Sequence, residues 1–67
     1  MAPVNGQVLE WARIRAGLSI EDVASAFKKT PSDVEAWEND ASSPTYRQLE
    51  KLSYQLYKRP LALFYFP

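Results

Sequence analysis

The sequence predicts an all-α fold, a compact bundle of four to five helices, and three observations predict it. Ser19, Thr30 and Thr45 each stand three residues before Asp22, Asp33 and Gln48, the reciprocal cap that opens a helix. Between these starts the apolar residues recur three and four positions apart, the period of a helix with one buried side. Gly17 and Pro60 stand where helices should stop.

The elements follow in order. Met1 to Asn5 read as a frayed end, with Pro3 and little to bury. The first helix runs from Gly6 to Ala16, with Val8 spaced to Trp11 and Ala12, and Gly17 suits a left-handed stop. Its apolar surface is broad, because Trp11 and Ile14 lie off the Leu9–Ala12 line. Ser19 caps the second helix, whose Ile20, Val23, Ala24 and Phe27 make a buried face until Lys28-Lys29 interrupts it. Thr30, with Pro31 at the first helical position and Asp33 in the first turn, starts the third helix. That helix turns Val34 and Trp37 inward and ends near Asn39-Asp40; residues 41–44 read as a loop. Thr45 caps the fourth helix, with Leu49, Leu52 and Leu56 as its stripe, Ser53 beside them, and Tyr46, Tyr54 and Tyr57 bordering it. Arg59-Pro60 is the expected stop, and Pro60 can open a short fifth helix to about Phe64.

Sixty-seven residues make one domain, 1–67, and a chain this short buries only about 60% of its unfolded surface. There is no cysteine and no histidine, so a disulfide framework, a thiolate zinc site and a Ser-His-Asp triad are excluded. The carboxylates sit mostly at helix starts, where capping explains them, and the expectation is a protein that is not an enzyme and uses no cofactor or metal. No apolar run approaches the roughly 20 residues of a membrane span, no signal-like segment opens the chain, and a cytoplasmic location is the default expectation.

The second and third helices, separated by a break of about three residues, form a helix-turn-helix pair. Ala24 is small enough to let the third helix approach, and Val34 and Trp37 fill the angle. Residues 18–24 (LSIEDVA), 34–38 (VEAWE) and 44–49 (PTYRQL) resemble the phage Cro/repressor, or XRE-type, helix-turn-helix domain over about Leu9 to Leu56. The resemblance implies a lambda-repressor-like bundle that binds double-stranded DNA in a transcriptional regulator. It also implies an ion pair between Arg13 and Glu38. A narrower resemblance lies in residues 11–17, 35–38 and 59–64, which are similar to the segment preceding ImmA/IrrE-type zinc peptidase domains. On that resemblance the chain is the front module of a longer protein, although the His-Glu-x-x-His motif of such peptidases is absent from it.

The Cro/repressor resemblance lays the third helix, about 31–39, in the major groove. It implies that Pro31, Ser32, Glu35 and Ala36 read bases, with Asn39 near a phosphate. Lys28, Lys29 and Thr30 would contact the backbone, and Thr45 and its neighbours would offer helix-start N–H groups to phosphate. The charge pattern opposes this. Residues 18–42 hold two lysines and six acids, and the third helix carries Asp33, Glu35 and Glu38 with no basic residue. Ile20 stands where the family usually has a phosphate-binding glutamine. Lys28 stands where it has a glycine, and a lysine in a left-handed turn costs about 1 kcal/mol, so a wider turn is expected. The alternative is a protein-interaction or regulatory module on the same fold. The lysine pair fits a solvated turn as well as a phosphate clamp.

The apolar end, Leu61 to Phe66, has two readings. It folds back over the first and fourth helices, or, with Trp11 and Ile14, it leaves Leu61, Phe64 and Phe66 as a patch for a homodimer or a C-terminal partner domain. Two-fold pairing would suit a palindromic operator with half-sites one turn apart.

Overall fold

A computed structural model describes residues 3–67. Among the described residues four α-helices succeed one another: α1 (Gly6–Arg15), α2 (Ile20–Ala26), α3 (Pro31–Glu38) and α4 (Tyr46–Lys51). The last continues as a π turn over Leu52–Leu56, and a 3₁₀ turn follows over Leu61–Tyr65. There is no strand among the described residues. No helix of the described residues is long and apolar enough to cross a membrane.

Local chemistry sets each start. Asn5 caps α1, its side chain accepting from the Gln7 N–H. Ser19–Asp22, Thr30–Asp33 and Thr45–Gln48 all form complete capping boxes at α2, α3 and α4. The exits share a different device. Gly17, Lys28, Asp40 and Lys58 all take positive φ, between 56° and 74°. Only one of the four is the glycine that this conformation favours. The expected wider turn at Lys28 does not occur. The lysine itself goes left-handed, and the Lys29 N–H returns to the Ala24 carbonyl at 2.9 Å. Lys51 supports the same turn by donating to the Ala26 carbonyl, with its ammonium 5.0 Å from the Phe27 ring.

The core forms where these helices meet. Ala24, Val34 and Trp37 are buried in one cluster with Leu9, Ala12 and Leu49, and Phe27 meets Trp37 edge to face at 5.5 Å. On α1 the buried line is Gly6, Leu9 and Ala12, while Val8 is half-buried. Trp11 and Ile14 stay exposed.

The end of α4 differs from the sequence expectation. Helical structure stops at Leu56, with Lys58 turning left-handed before Arg59-Pro60 is reached. The chain widens into a π turn because the Tyr57 N–H reaches back to Leu52, and the Arg59 N–H reaches Ser53. Ser53 is fully buried there and its hydroxyl donates to the Arg59 carbonyl. Tyr57 is turned inward rather than bordering the stripe, and packs on Phe64.

The chain ends also correct the expectation. The frayed start holds at most for Pro3: Val4 packs on the core, and the Asn5 N–H donates to the Phe64 carbonyl at 2.7 Å. Met1 and Ala2, named in the same expectation, lie outside the described residues. The tail folds back, with Phe64 completely buried, so Phe64 is unavailable to any partner. Leu61 is half-buried against the core, and Phe66 is left exposed.

Gly6 sets how closely α1 approaches the end of α3. A Cβ there would stand 2.5 Å from the Glu38 carbonyl oxygen and 2.7 Å from that of Trp37, both backbone atoms that cannot step aside. Its N–H donates to Asp40 Oδ1 at 2.9 Å across the same junction. Gly6→Ala should therefore lose about 2 kcal/mol. Thermal unfolding should register this as a midpoint about 10 °C lower; an unchanged midpoint would refute the tight approach.

Candidate nucleic-acid interface

The outer side of α3 follows from its inner side. With Val34 and Trp37 buried, a period of 3.6 turns Ser32, Glu35, Ala36 and Asn39 away from the core as one stripe. Ser32, Glu35 and Asn39 are exposed and Ala36 is half-buried. Pro31 is exposed at the first helical position, and Lys28 and Lys29 are exposed in the turn before it. Those residues of the expected site come together around α3. Thr45 stands apart, at the start of α4 beyond the loop that follows Asp40.

Two threonines of the expected site are already engaged. The Thr30 N–H and hydroxyl both donate to Asp33 Oδ2 at 3.1 Å. The Thr45 N–H donates to Gln48 Oε1 at 2.8 Å, so it is not free for phosphate. At that helix start the Tyr46 and Arg47 N–H groups remain unclaimed by the helix itself.

The carboxylates of this region are largely committed. Asp22 accepts from the Ser19 N–H and Asp33 from Thr30, and these bonds hold both carboxyls below their ordinary value. Asp40 accepts from Gly6. Glu38 takes Arg13 in a two-pronged pair, Nε to Oε2 at 2.8 Å and Nη2 to Oε1 at 3.3 Å. Arg13 Nη1 also donates to the Leu18 carbonyl at 3.0 Å. The hydrogen bond to Glu38 raises the Arg13 pKa further above its usual value. Burial pushes the Tyr57 phenol up, with Glu38 adding to the effect, so the hydroxyl stays neutral. Glu21 and Glu35 are the two acids of residues 18–42 that no hydrogen bond or ion pair holds among the described residues. A cleft of about 220 Å³ opens beside the stripe, lined by Glu10, Arg13, Ile20, Glu35, Glu38 and Asn39. Ile20, which also lines it, packs on the core.

Two short capped helices share a buried Ala24, Val34 and Trp37, an arginine of α1 braces the end of the second, and its opposite stripe is open. A family profile described as helix-turn-helix matches residues 9–55. The chain belongs to that helix-turn-helix family, of the XRE or lambda-repressor-like type. No curated protein and no solved structure matches it. Family membership makes it a DNA-binding domain of the regulator kind. The helix-turn-helix pair comprises α2 and α3, and the match also takes in most of α1 and all of α4.

On a second face of this helix-turn-helix domain, Trp11 carries two guanidinium groups. Arg15 and Arg59 lie 5.3 and 5.1 Å from its ring centre. Neither has a carboxylate within ion-pair distance among the described residues. Ile14, 62% exposed, lies on the same outer side of α1. The sequence marks Trp11 and Ile14 as off the buried line, and Arg15 follows Trp11 by one turn of the same helix; the approach of Arg59, just beyond the left-handed Lys58, was not legible.

The capping carboxylates give a pH signature with a definite sign. A carboxyl whose folded-state pKa is depressed contributes stability above its ordinary value, 3.8 for Asp22 and Asp33. That contribution disappears as the pH falls through the lower folded-state values. The wild-type melting temperature should therefore drop between about pH 5 and about pH 2. An Asp22→Asn, Asp33→Asn double variant should show a flatter acid limb, its gap from wild type closing as the pH falls; parallel curves would contradict the assignment.

Proposed function

We propose that this helix-turn-helix domain binds double-stranded DNA for a transcriptional regulator by laying α3 in the major groove, and that it works by binding rather than catalysis. The observation that carries this reading is the open stripe Ser32, Glu35, Ala36 and Asn39, opposite the buried Val34 and Trp37. Lys28 and Lys29 stand exposed at the entry to α3, where a groove-bound helix passes the phosphates. The Tyr46 and Arg47 N–H groups, with the exposed Arg47 side chain, supply a second backbone contact in place of Thr45. The negative charge of residues 18–42 is reduced by one where Arg13 pairs with Glu38. Four of the six carboxylates there are held by donors of the protein itself. The engaged carboxyls at helix starts also face the positive end of a helix dipole.

Titration of a duplex at several salt concentrations tests this reading. Affinity should fall linearly on a log–log plot, and Lys29→Gln should reduce the slope by about 1 while weakening all sequences alike. A slope near zero for the wild type would sink the major-groove reading.

A specific observation favours a second reading, a protein-interaction or regulatory module. Trp11 with Arg15, Arg59 and Ile14 presents an apolar surface with a charged rim, and at the tail Phe66 is exposed and Leu61 half-buried. Such a surface suits a homodimer or a following domain, including the zinc peptidase domain suggested by the narrower resemblance. Sedimentation at rising concentration checks the homodimer form. Self-association should appear in the wild type and vanish in a Trp11→Ser, Ile14→Ser variant; a monomer at every concentration removes that form.

A further inference from the structure

We infer that Glu35 is a specificity-determining residue that selects cytosine at one position of the bound DNA, an inference that rests on α3 lying in the major groove. Three of the acids on and just beyond α3 are taken: Asp33 by the Thr30 cap, Glu38 by Arg13 and Asp40 by the Gly6 N–H. Glu35 alone on that segment is an exposed carboxylate without an ion-pair partner or a side-chain hydrogen bond among the described residues. It lies in the middle of the open stripe, three residues after Ser32 and four before Asn39. Arg13, the one cation among the residues lining its cleft, is no substitute partner, because it donates to Glu38 and to the Leu18 carbonyl.

The chemistry of the groove then narrows the choice. A carboxylate only accepts hydrogen bonds. Guanine offers O6 and N7 acceptors and thymine offers O4, so both repel it. Adenine offers its N6 donor beside the N7 acceptor, which a carboxylate also meets unfavourably. Cytosine offers the N4 amino group alone, and Glu35 accepts from it. A glutamine at the same place carries a donor and an acceptor together, the pair that matches adenine N6 and N7. The charge that makes α3 look unsuited to DNA becomes, at this one position, a source of discrimination.

Selection from a random duplex pool by the full chain, by Glu35→Gln and by Glu35→Ala tests the inference. The wild type should enrich a motif with cytosine at one position, by about fivefold to tenfold over other bases there. Glu35→Gln should move that position to adenine, and Glu35→Ala should leave it without preference, with the rest of the motif unchanged. One common motif from all three proteins overturns the inference while leaving DNA binding intact. So does a general rise in affinity of Glu35→Gln with no change of base, which would mean that Glu35 merely repels phosphate. No enrichment by any of the three overturns the major-groove reading together with this inference.

Discussion

The Arg13 guanidinium is the joint on which the arrangement depends. From the third turn of α1 it reaches the carboxylate of Glu38 at the end of α3 and the Leu18 carbonyl in the turn before α2. The end of α1, the turn that follows it and the distant end of α3 are thereby held by one planar group whose donors are spaced to fit a carboxylate. The pair is largely shielded from water, with 13% and 8% of the two side chains exposed. Its electrostatics are therefore screened less than those of a surface pair, and each partner satisfies a charge that would otherwise be stranded. The second half of the joint is steric. Gly6 lets the backbone of α1 come against the carbonyls of Trp37 and Glu38, and Asp40 closes the gap with a hydrogen bond. Together they fix where the open side of α3 points relative to the rest of the bundle.

A small domain must use each polar group more than once, and this chain does. Its caps are made by the same aspartates that make the helix-turn-helix region look acidic. Lys51 closes the end of α2 and covers an aromatic face, so it is at once a helix stop and a packing element. Only residues left over from such duties can address a ligand. On α3 those are the stripe residues, and at the turn before it the two exposed lysines. Counting charges along the chain misjudges the surface because it does not distinguish a carboxylate that has already found its donors from one that has not.

How much was legible follows from how local each cause is. The helix starts were plain, because a Ser or Thr and its partner three residues on make their bonds within one turn. The buried Val34 and Trp37 followed from their spacing, and the outward residues from the family resemblance. Gly6 gave no sign, since its reason is a backbone 31 and 32 residues away. The left-handed Asp40 and Lys58 gave no sign, because neither residue marks that conformation as a glycine does; at Lys28 the family resemblance marked the position, but a wider turn was expected there. The fourth helix was misjudged because Ser53 looks like a polar neighbour of a leucine stripe. In the fold it is a buried donor to the Arg59 carbonyl within a widened turn. The tail was left with two readings, and composition could not separate Phe64, which is in the core, from Phe66, which is not.

The handshake between Asn5 and the end of the chain has an architectural consequence. The backbone of residue 5 bonds to that of residue 64, and the Asn5 amide bonds to the carbonyl of residue 66. Entry and departure of the polypeptide therefore lie side by side. A host protein carrying this unit within one of its own surface loops would need only a small detour, because its strand could leave and resume at almost the same point. Order of connection is thus a loose constraint here, and the bundle lends itself to circular permutation as readily as to end-to-end fusion.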